Sequence, residues 1–151
     1  AAALTGAVGA VHLDRPVQGS SSVSASIQSS AASEVVRLTN SARSQNGYAA
    51  LVEDGALSEA AAVRAREIAR SFSHTRPSGA SFSSALSESG VSYLRAGENI
   101  ASGQKSAFEV VNAWMNSPGH RANILNSSYS RIGSASVNID GTLYWVQLFA
   151  D

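Results

Sequence analysis

The last part of the chain contains the feature that most constrains the fold. Residues 143–149 form a segment in which both alternating sets of side chains are largely apolar, and Asp140-Gly141 just before it is a two-residue turn signal. The preceding segment, 132–139, alternates small or polar residues with apolar ones, so the two segments are predicted to pair as a hairpin. A strand that is apolar on both faces belongs near the middle of a sheet, with helices covering both sides.

Three amphipathic helices are available to provide that cover. One begins near Ser33 and ends near Asn46-Gly47, a C-terminal cap signal. Another follows the N-cap candidate Ser58, and a third follows Ser106, where Glu109 completes a capping box. The second helix has an apolar stripe formed by Ala61, Ala65, Ile68 and Phe72. The rest of its surface is polar and carries Arg64, Arg66, Glu67 and Arg70. Helices and hairpin together predict an α+β fold, a three-layer α-β-α sandwich with a small central, mainly antiparallel sheet.

The composition excludes several classes of protein. The formal net charge is zero, with 11 basic and 11 acidic residues, and no basic stripe of the kind that binds nucleic acid is visible. Cysteine is absent, which excludes a disulfide scaffold, a thiolate nucleophile and a cysteine-ligated metal site, but does not exclude export. No apolar run of about 18 residues occurs, so no transmembrane helix is predicted.

The first 31 residues are predicted to lie outside the folded domain. Residues 1–11 are small and apolar, like the trailing half of a signal peptide, without the basic region and initiator methionine of a complete one. Residues 19–30 are rich in serine and unpatterned, which is typical of a flexible tether. We therefore divide the chain into a flexible leader and Ser-rich linker, 1–31, and one folded domain, 32–151.

Three polar residues are the best candidates for a functional site. His74 and His120 both lie at breaks between helices, and Glu98 lies in Gly97-Glu98-Asn99-Ile100-Ala101, a short strand or extended loop. Neutral imidazole is a common ligand for Zn²⁺, Cu²⁺ and Ni²⁺, and a carboxylate can complete or orient such a site. We therefore predict an open metal site in one solvent-accessible cleft. Alternatively, each histidine is structural and the glutamate accepts hydrogen bonds from buried backbone N–H groups. His12 lies in the predicted leader and is discounted.

Five segments of the chain, in this order, resemble the CAP superfamily, the fold of cysteine-rich secretory proteins, venom allergens and plant pathogenesis-related proteins. The similarity covers about residues 33–150 and is closest to the cysteine-free bacterial branch. The matching segments are Leu38-Thr39-Asn40-Ser41-Ala42-Arg43, Phe72-Ser73-His74-Thr75, Gly97-Glu98-Asn99-Ile100-Ala101, Ala113-Trp114-Met115-Asn116-Ser117-Pro118-Gly119-His120-Arg121-Ala122-Asn123-Ile124-Leu125 and Tyr144-Trp145-Val146-Gln147-Leu148-Phe149.

The resemblance implies an α-β-α sandwich, secretion, and a broad cleft lined by two histidines and acidic residues. It makes His74 and His120 the metal-binding pair, with zinc or another divalent ion as the cofactor, and Glu98 the first glutamate of the cleft. Many animal and plant members have a second glutamate where this chain has Ser117, beside Asn116. The acidic set is therefore incomplete here, which weakens the case for an activity that depends on both carboxylates.

Two functions are compatible with these residues. The first is a secreted, non-catalytic module that binds a metal and an extracellular ligand: a lipid or sterol, a peptide or a cell-wall component. The alternative is a metal-assisted hydrolase of peptides or glycans with Glu98 as the catalytic base. The first is favoured because the second carboxylate and any nucleophile signature are missing, and a purely structural surface domain is a third possibility. The residues predicted to line the cleft are Glu98, Asn99, Asn116, Ser117 and Asn123.

Overall fold

The structure, a computed structural model, describes residues 2–4 and 21–151. Within these ranges the chain forms five strands and five helices. In chain order they are β1 (Ala2–Leu4), α1 (Ser21–Gln45), β2 (Val52–Glu53), α2 (Gly55–Arg70), α3 (Ser83–Glu88), β3 (Ala96–Ser102), α4 (Ala107–Met115), α5 (Pro118–Ile124), β4 (Arg131–Ile139) and β5 (Thr142–Ala150). None of the helices in these ranges is long and apolar enough to cross a membrane.

The strands form one mixed sheet in the order β1-β3-β5-β4-β2. The three long strands pair antiparallel at the centre, whereas β1 pairs parallel with β3 and β2 pairs parallel with β4 at the edges. Asp140 and Gly141 join β4 to β5 with φ angles of 52° and 86°, the two positive values that a type I′ turn requires. The predicted hairpin and the small, mainly antiparallel sheet are confirmed.

The central strand β5 has a separate apolar core on each of its faces. Trp145 and Phe149 pack on one face with side chains of α1, α4 and α5. Val146 and Leu148 pack on the opposite face with side chains of α2 and α3. All four side chains are at most 1% exposed, which explains why both alternating sets of this strand are apolar. The predicted three-layer α-β-α sandwich is confirmed.

The first long helix is longer than the sequence predicted. α1 begins at Ser21, well before the predicted start at Ser33, so its N-terminal part lies in the segment assigned to the linker. Residue 1 and residues 5–20, which include His12, lie outside the described part of the chain. The division of the chain at residue 31 therefore stays a prediction.

The start of α2 also differs from the prediction, which placed its N-cap at Ser58. The helix begins at Gly55, because Asp54 is the N-cap and its carboxylate accepts hydrogen bonds from the backbone N–H groups of Ala56 and Leu57. The bond from Leu57 is the main cause of the lowered pKa of Asp54. Asp54-Gly55, which the sequence analysis placed in a loop, is therefore the N-cap and the first residue of α2.

Candidate functional site

Glu98 is the centre of the candidate site, and its side chain is completely buried. It lies on β3 opposite Arg64 of α2, which donates from Nε to Glu98 Oε2 at 2.7 Å and from Nη2 to Oε1 at 3.1 Å. Arg64 is also 0% exposed. Burial alone would lower the pKa of Arg64, but its hydrogen bonds and charge interactions with Glu98 and Glu67 outweigh burial and raise it. The guanidinium therefore stays charged and fixes the carboxylate from two directions.

His74 contacts Glu98 from the segment between α2 and α3. Its Nδ1 lies 2.8 Å from Glu98 Oε1, and because an ionised carboxylate only accepts hydrogen bonds, Nδ1–H is the donor. Arg64 also donates to the carbonyl oxygen of Ser73 at 2.7 Å, which fixes the backbone next to His74. The His74 side chain is 15% exposed, so the site reaches solvent at this ring.

His120 lies at the start of α5, in the other helical layer, and is 2% exposed. Pro118 begins this short helix after Ser117, as the sequence predicted. The Ser117 hydroxyl lies 2.8 Å from His120 Nδ1, while Nε2 is buried and has no hydrogen-bond partner among the described residues. Burial, reinforced by the charge of nearby His74, lowers the pKa of His120 to about 4. The ring is therefore neutral at physiological pH.

A chain of buried amides holds the backbone beside His120. Asn99 donates to the His120 carbonyl oxygen at 3.1 Å and to Gln147 Oε1 at 2.8 Å. Asn123 donates to Asn99 Oδ1 at 2.9 Å, and Gln147 donates to Thr39 Oγ1 at 3.0 Å. These four polar side chains are at most 1% exposed. Because each finds a partner, the network fixes β3, β5, α1 and α5 relative to one another.

Most of the predicted cleft residues lie deeper than the sequence suggested. Glu98, Asn99 and Asn123 are buried, so they support the two histidines from beneath instead of lining an open surface. Asn116 is exposed at the end of α4, and its amide donates to a carbonyl oxygen of its own helix. Among the predicted cleft residues other than Glu98, Ser117 is the one whose side chain contacts a candidate histidine ring.

The protein ligands available to a metal ion are few. Within residues 2–4 and 21–151, no group of three or more His, Asp and Glu side chains is arranged to hold one ion. Both carboxylate oxygens of Glu98 are already in hydrogen bonds with Arg64 or His74. The predicted site residues that carry ring nitrogens are His74 and His120, and of these His120 has a buried Nε2 without a hydrogen-bond partner among the described residues.

The family of the chain follows from its match to a protein-family model. Residues 36–149, most of the chain, match the model of the CAP family, described as the cysteine-rich secretory protein family. The chain belongs to the CAP family. The predicted resemblance is confirmed, and the absence of cysteine agrees with the cysteine-free bacterial branch.

The CAP domain is similar to two proteins of Bacillus subtilis (strain 168). It is 42% identical over 118 residues to an uncharacterized protein, YkwD, and 33% identical over 120 residues to an uncharacterized membrane protein, YlbC. These alignments span 77% and 78% of this chain, but 45% and 34% of the two relatives. The chain therefore spans less than half the length of these curated relatives.

Two solved structures share its architecture. An extracellular protein containing an SCP domain from Bacillus anthracis str. Ames superposes with a TM-score of 0.81 and 25% identity, covering 89% of this chain and 44% of that chain. An outer surface protein from Borrelia burgdorferi superposes with a TM-score of 0.73 and 23% identity, covering 90% of this chain and 98% of that chain. Both support the three-layer fold.

The role of Arg64 in this CAP domain was not predicted from the sequence. Arg64 was placed on the polar side of α2 with Arg66 and Arg70, yet it is fully buried. A signal was present, because Arg64 follows Ala61 by three residues and precedes Ile68 by four, in the stripe that faces the sheet. A cation in such a stripe requires a buried acid as its partner.

A second layer of charges supports Arg64 and the segment that carries His74. Arg64 pairs with Glu67 at 2.9 Å, Glu67 pairs with Arg76 at 2.9 Å, and Arg76 pairs with Glu88 at 2.9 Å. Burial alone would raise the pKa of Glu67, but the hydrogen bonds from Arg76 and Arg64 lower it. Hydrogen bonds to Glu67 and Glu88 raise the pKa of Arg76. These ion pairs connect α2, the intervening segment and α3 behind the candidate site.

Proposed function

We propose that this protein is a secreted, non-catalytic CAP module that binds a divalent metal ion, with zinc as the first candidate, through the Nε2 atoms of His74 and His120. The ion supplies a positively charged contact for an extracellular ligand, which is a lipid or sterol, a peptide or a cell-wall component. The observation that carries the proposal is the buried Nε2 of His120, which has no partner among the described residues.

The environment of His120 fits a metal ligand. A buried polar atom without a partner costs about 1–3 kcal/mol, so such an atom in a folded protein calls for an explanation such as a bound ion or water. The pKa of about 4 keeps the imidazole neutral at pH 7, and the neutral ring is the form that binds metals. When Nδ1 donates to the Ser117 hydroxyl, the lone pair of the ring lies on Nε2.

The contact between Glu98 and His74 fits the same role. In metal sites, a ligating histidine usually donates its other ring N–H to a carboxylate or carbonyl oxygen, which fixes the ring and makes it a better ligand. Glu98 accepts from His74 Nδ1 in this way, and Arg64 holds the carboxylate in place. Glu98 is therefore proposed to orient the metal-coordinating ring of His74, and not to coordinate the metal itself.

Two protein ligands make an open and weak site. Structural zinc sites are closed by four protein ligands, so a two-histidine site leaves positions for water and for a bound molecule. Ser117 replaces the second glutamate of many animal and plant members, and its hydroxyl contacts His120 instead of adding a carboxylate. This substitution favours a binding role over one that needs two acids.

Isothermal titration with Zn²⁺ tests the metal site. We expect binding by the unaltered protein that is lost in the His74→Ala/His120→Ala double variant and about tenfold weaker in Ser117→Ala, the scale expected when a ligand loses its orienting contact. The matched control is Asn116→Ala, whose exposed amide donates to its own helix, and this variant should bind zinc as the unaltered protein does. Equal binding by the double variant and the unaltered protein would contradict the proposal.

Secretion is supported by two similar proteins of known structure. The similar Bacillus anthracis protein is described as extracellular and the Borrelia protein as an outer surface protein. Immunodetection of the native protein in culture medium, membrane and cytosolic fractions checks this, and exclusive recovery from the cytosol would contradict it.

The hydrolase alternative has less support. Both carboxylate oxygens of Glu98 already accept hydrogen bonds from Arg64 or His74, and the side chain is fully buried. A general base must reach a substrate or a water molecule, directly or through one bridging water. Chelator-sensitive hydrolysis of peptides or glycans that disappears in Glu98→Gln would nevertheless establish the enzyme.

A further inference from the structure

The outer edge of β3 is covered at its start by β1. β1 pairs parallel with the first three residues of β3, with Ala3 opposite Gly97 and Leu4 opposite Glu98. On the other side β5 pairs with all seven residues of β3, and every residue of β3 is buried. Residues 5–20, which join β1 to α1 in the sequence, lie outside the described part of the chain. A strand of three residues therefore fills this part of the edge.

Two side-chain contacts show which backbone groups of β3 face the outer edge. The carbonyl oxygen of Glu98 accepts from the Asn123 amide at 3.3 Å, and that of Ile100 accepts from Trp114 Nε1 at 3.2 Å. Both carbonyl groups therefore face away from β5. Because backbone direction alternates along an antiparallel strand, the N–H group of Glu98 faces β1, whereas that of Gly97 faces β5.

The backbone of Ala3 holds β1 on this edge. The parallel register places Ala3 between Ala96 and Glu98, the two residues of β3 that face outward. The N–H and C=O groups of Ala3 therefore face β3, and those of Ala2 face the opposite way. Past Glu98, side chains of α4 and α5 already bond to the outward carbonyl oxygens, so the part of the edge that accepts a strand is short.

This part of the edge leads to the candidate site. Glu98, the last residue that pairs with β1, contacts His74 through its carboxylate. Asn123, which donates to the Glu98 carbonyl oxygen, also donates to Asn99, and Asn99 holds the backbone of His120. An extended chain that follows β3 in the direction of β1 therefore reaches the residues that position both histidines.

We propose that the edge of β3 at residues 96–98 is a binding site for an extended peptide, and that β1 occupies it as an intramolecular competitor. The proposal rests on the proposed function in one respect, because it selects a peptide among the three classes of ligand. Main-chain hydrogen bonds provide the affinity in this mode of recognition. A tethered strand has an effective concentration on the order of 1 mM, so β1 excludes weak ligands and is displaced by a peptide with further contacts at the site.

Amide hydrogen exchange in the presence of a chelator tests whether β1 fills the edge. Ala3→Pro removes an N–H that faces β3, and the matched control Ala2→Pro removes one that faces away. We expect the Glu98 amide to exchange about tenfold faster in Ala3→Pro, the scale of one lost hydrogen bond. The Gly97 amide, which faces β5, should exchange equally in all three proteins. Equal exchange at Glu98 in the three proteins would overturn the proposal.

A peptide added to the same proteins tests whether the edge accepts a strand from another molecule. The probe is a synthetic copy of residues 1–6, acetylated and amidated, at millimolar concentration. We expect it to restore slow exchange at Glu98 in Ala3→Pro and to leave the unaltered protein and Ala2→Pro unchanged. A probe N-methylated at the position of Ala3 should not restore it. Equal effects of the two probes, or no effect of either, would contradict the acceptor role.

Zinc titration separates this proposal from the metal site, because the exchange experiments contain a chelator. Loss of the expected zinc binding together with the expected peptide result would contradict the proposed function alone. Zinc binding without any peptide effect would contradict the acceptor site alone. Sedimentation provides a further check, since dimers that disappear in Ala3→Pro would assign β1 to the β3 edge of a second copy and overturn the intramolecular competition.

Discussion

Replacement of Arg64 by methionine tests whether the buried ion pair organises the site. Arg64 donates two hydrogen bonds to Glu98, one to Glu67 and one to the carbonyl oxygen of Ser73. Methionine keeps much of the volume and removes every one of these donors. Glu67 retains Arg76 as a partner, but Glu98 keeps only His74, so a buried carboxylate loses the cation that compensates its charge.

The expected cost is large because neither partner is exposed to solvent. Removing one member of a buried ion pair typically costs about 3–5 kcal/mol, since the remaining charge stays desolvated. For a domain of this size, that corresponds to a fall in melting temperature of roughly 10 °C or more. Replacing both partners with methionine should cost less than the sum of the two single changes, because no charge is then left buried.

Urea unfolding and thermal melts of four variants measure this effect. Arg37→Met is the matched control, because Arg37 also makes two hydrogen bonds to a glutamate, but the side chains of Arg37 and Glu34 are 65% and 45% exposed. We expect no measurable change in that variant, because exposed pairs contribute little. The remaining variants are Glu98→Met and the double replacement of Arg64 and Glu98. Equal midpoints for Arg64→Met and Arg37→Met, or strict additivity in the double variant, would refute the reasoning.

Three further predictions concern stability. Gly133→Ala should destabilise by about 1–3 kcal/mol in urea unfolding, because a Cβ there would collide with the backbone of Leu57 in α2, whereas Gly55→Ala, with open space around it, should not destabilise. In the presence of a chelator, the free energy of unfolding should fall by up to about 3 kcal/mol as the pH drops from 6.5 to 4, because His120 binds a proton at a higher pH in the unfolded chain than in the folded one. In the His120→Gln variant this dependence should be flatter between the same two pH values. Ser106→Ala should cost about 1 kcal/mol in the same assay, because it removes the hydroxyl that caps α4.

The fold could be predicted because its main signals are local in sequence. Apolar side chains in both alternating sets of residues 143–149 indicated a central strand, Asp140-Gly141 indicated the turn, and helical spacing indicated α2 and α4. Each signal depends on a few neighbouring residues and on which side of the element is buried. The start of α1 was missed because residues 21–32 are mostly serine and alanine, a composition without an amphipathic pattern.

The site was harder to predict because its decisive contacts join residues that are distant in sequence. His74, Glu98 and His120 could be named from their surroundings and from family resemblance, but nothing local indicates that Arg64 meets Glu98, 34 residues later. Gln147 was assigned to an apolar face, where its amide in fact completes a buried network through Asn99. Partners of buried polar groups are set by tertiary packing, so only the structure identifies them.

Adjacent residues of β3 explain how one short strand serves both helical layers. Side chains alternate across a sheet, so Glu98 faces α2, where it meets Arg64, and Asn99 faces α5, where its amide donates to the His120 backbone. The carboxylate thus positions one histidine and the amide positions the other. A shift of one residue in the register of β3 would exchange the two groups and leave Arg64 without an acid. The pairing of β3 with β5, from Ala96 opposite Ala150 to Ser102 opposite Tyr144, therefore fixes the site as well as the sheet.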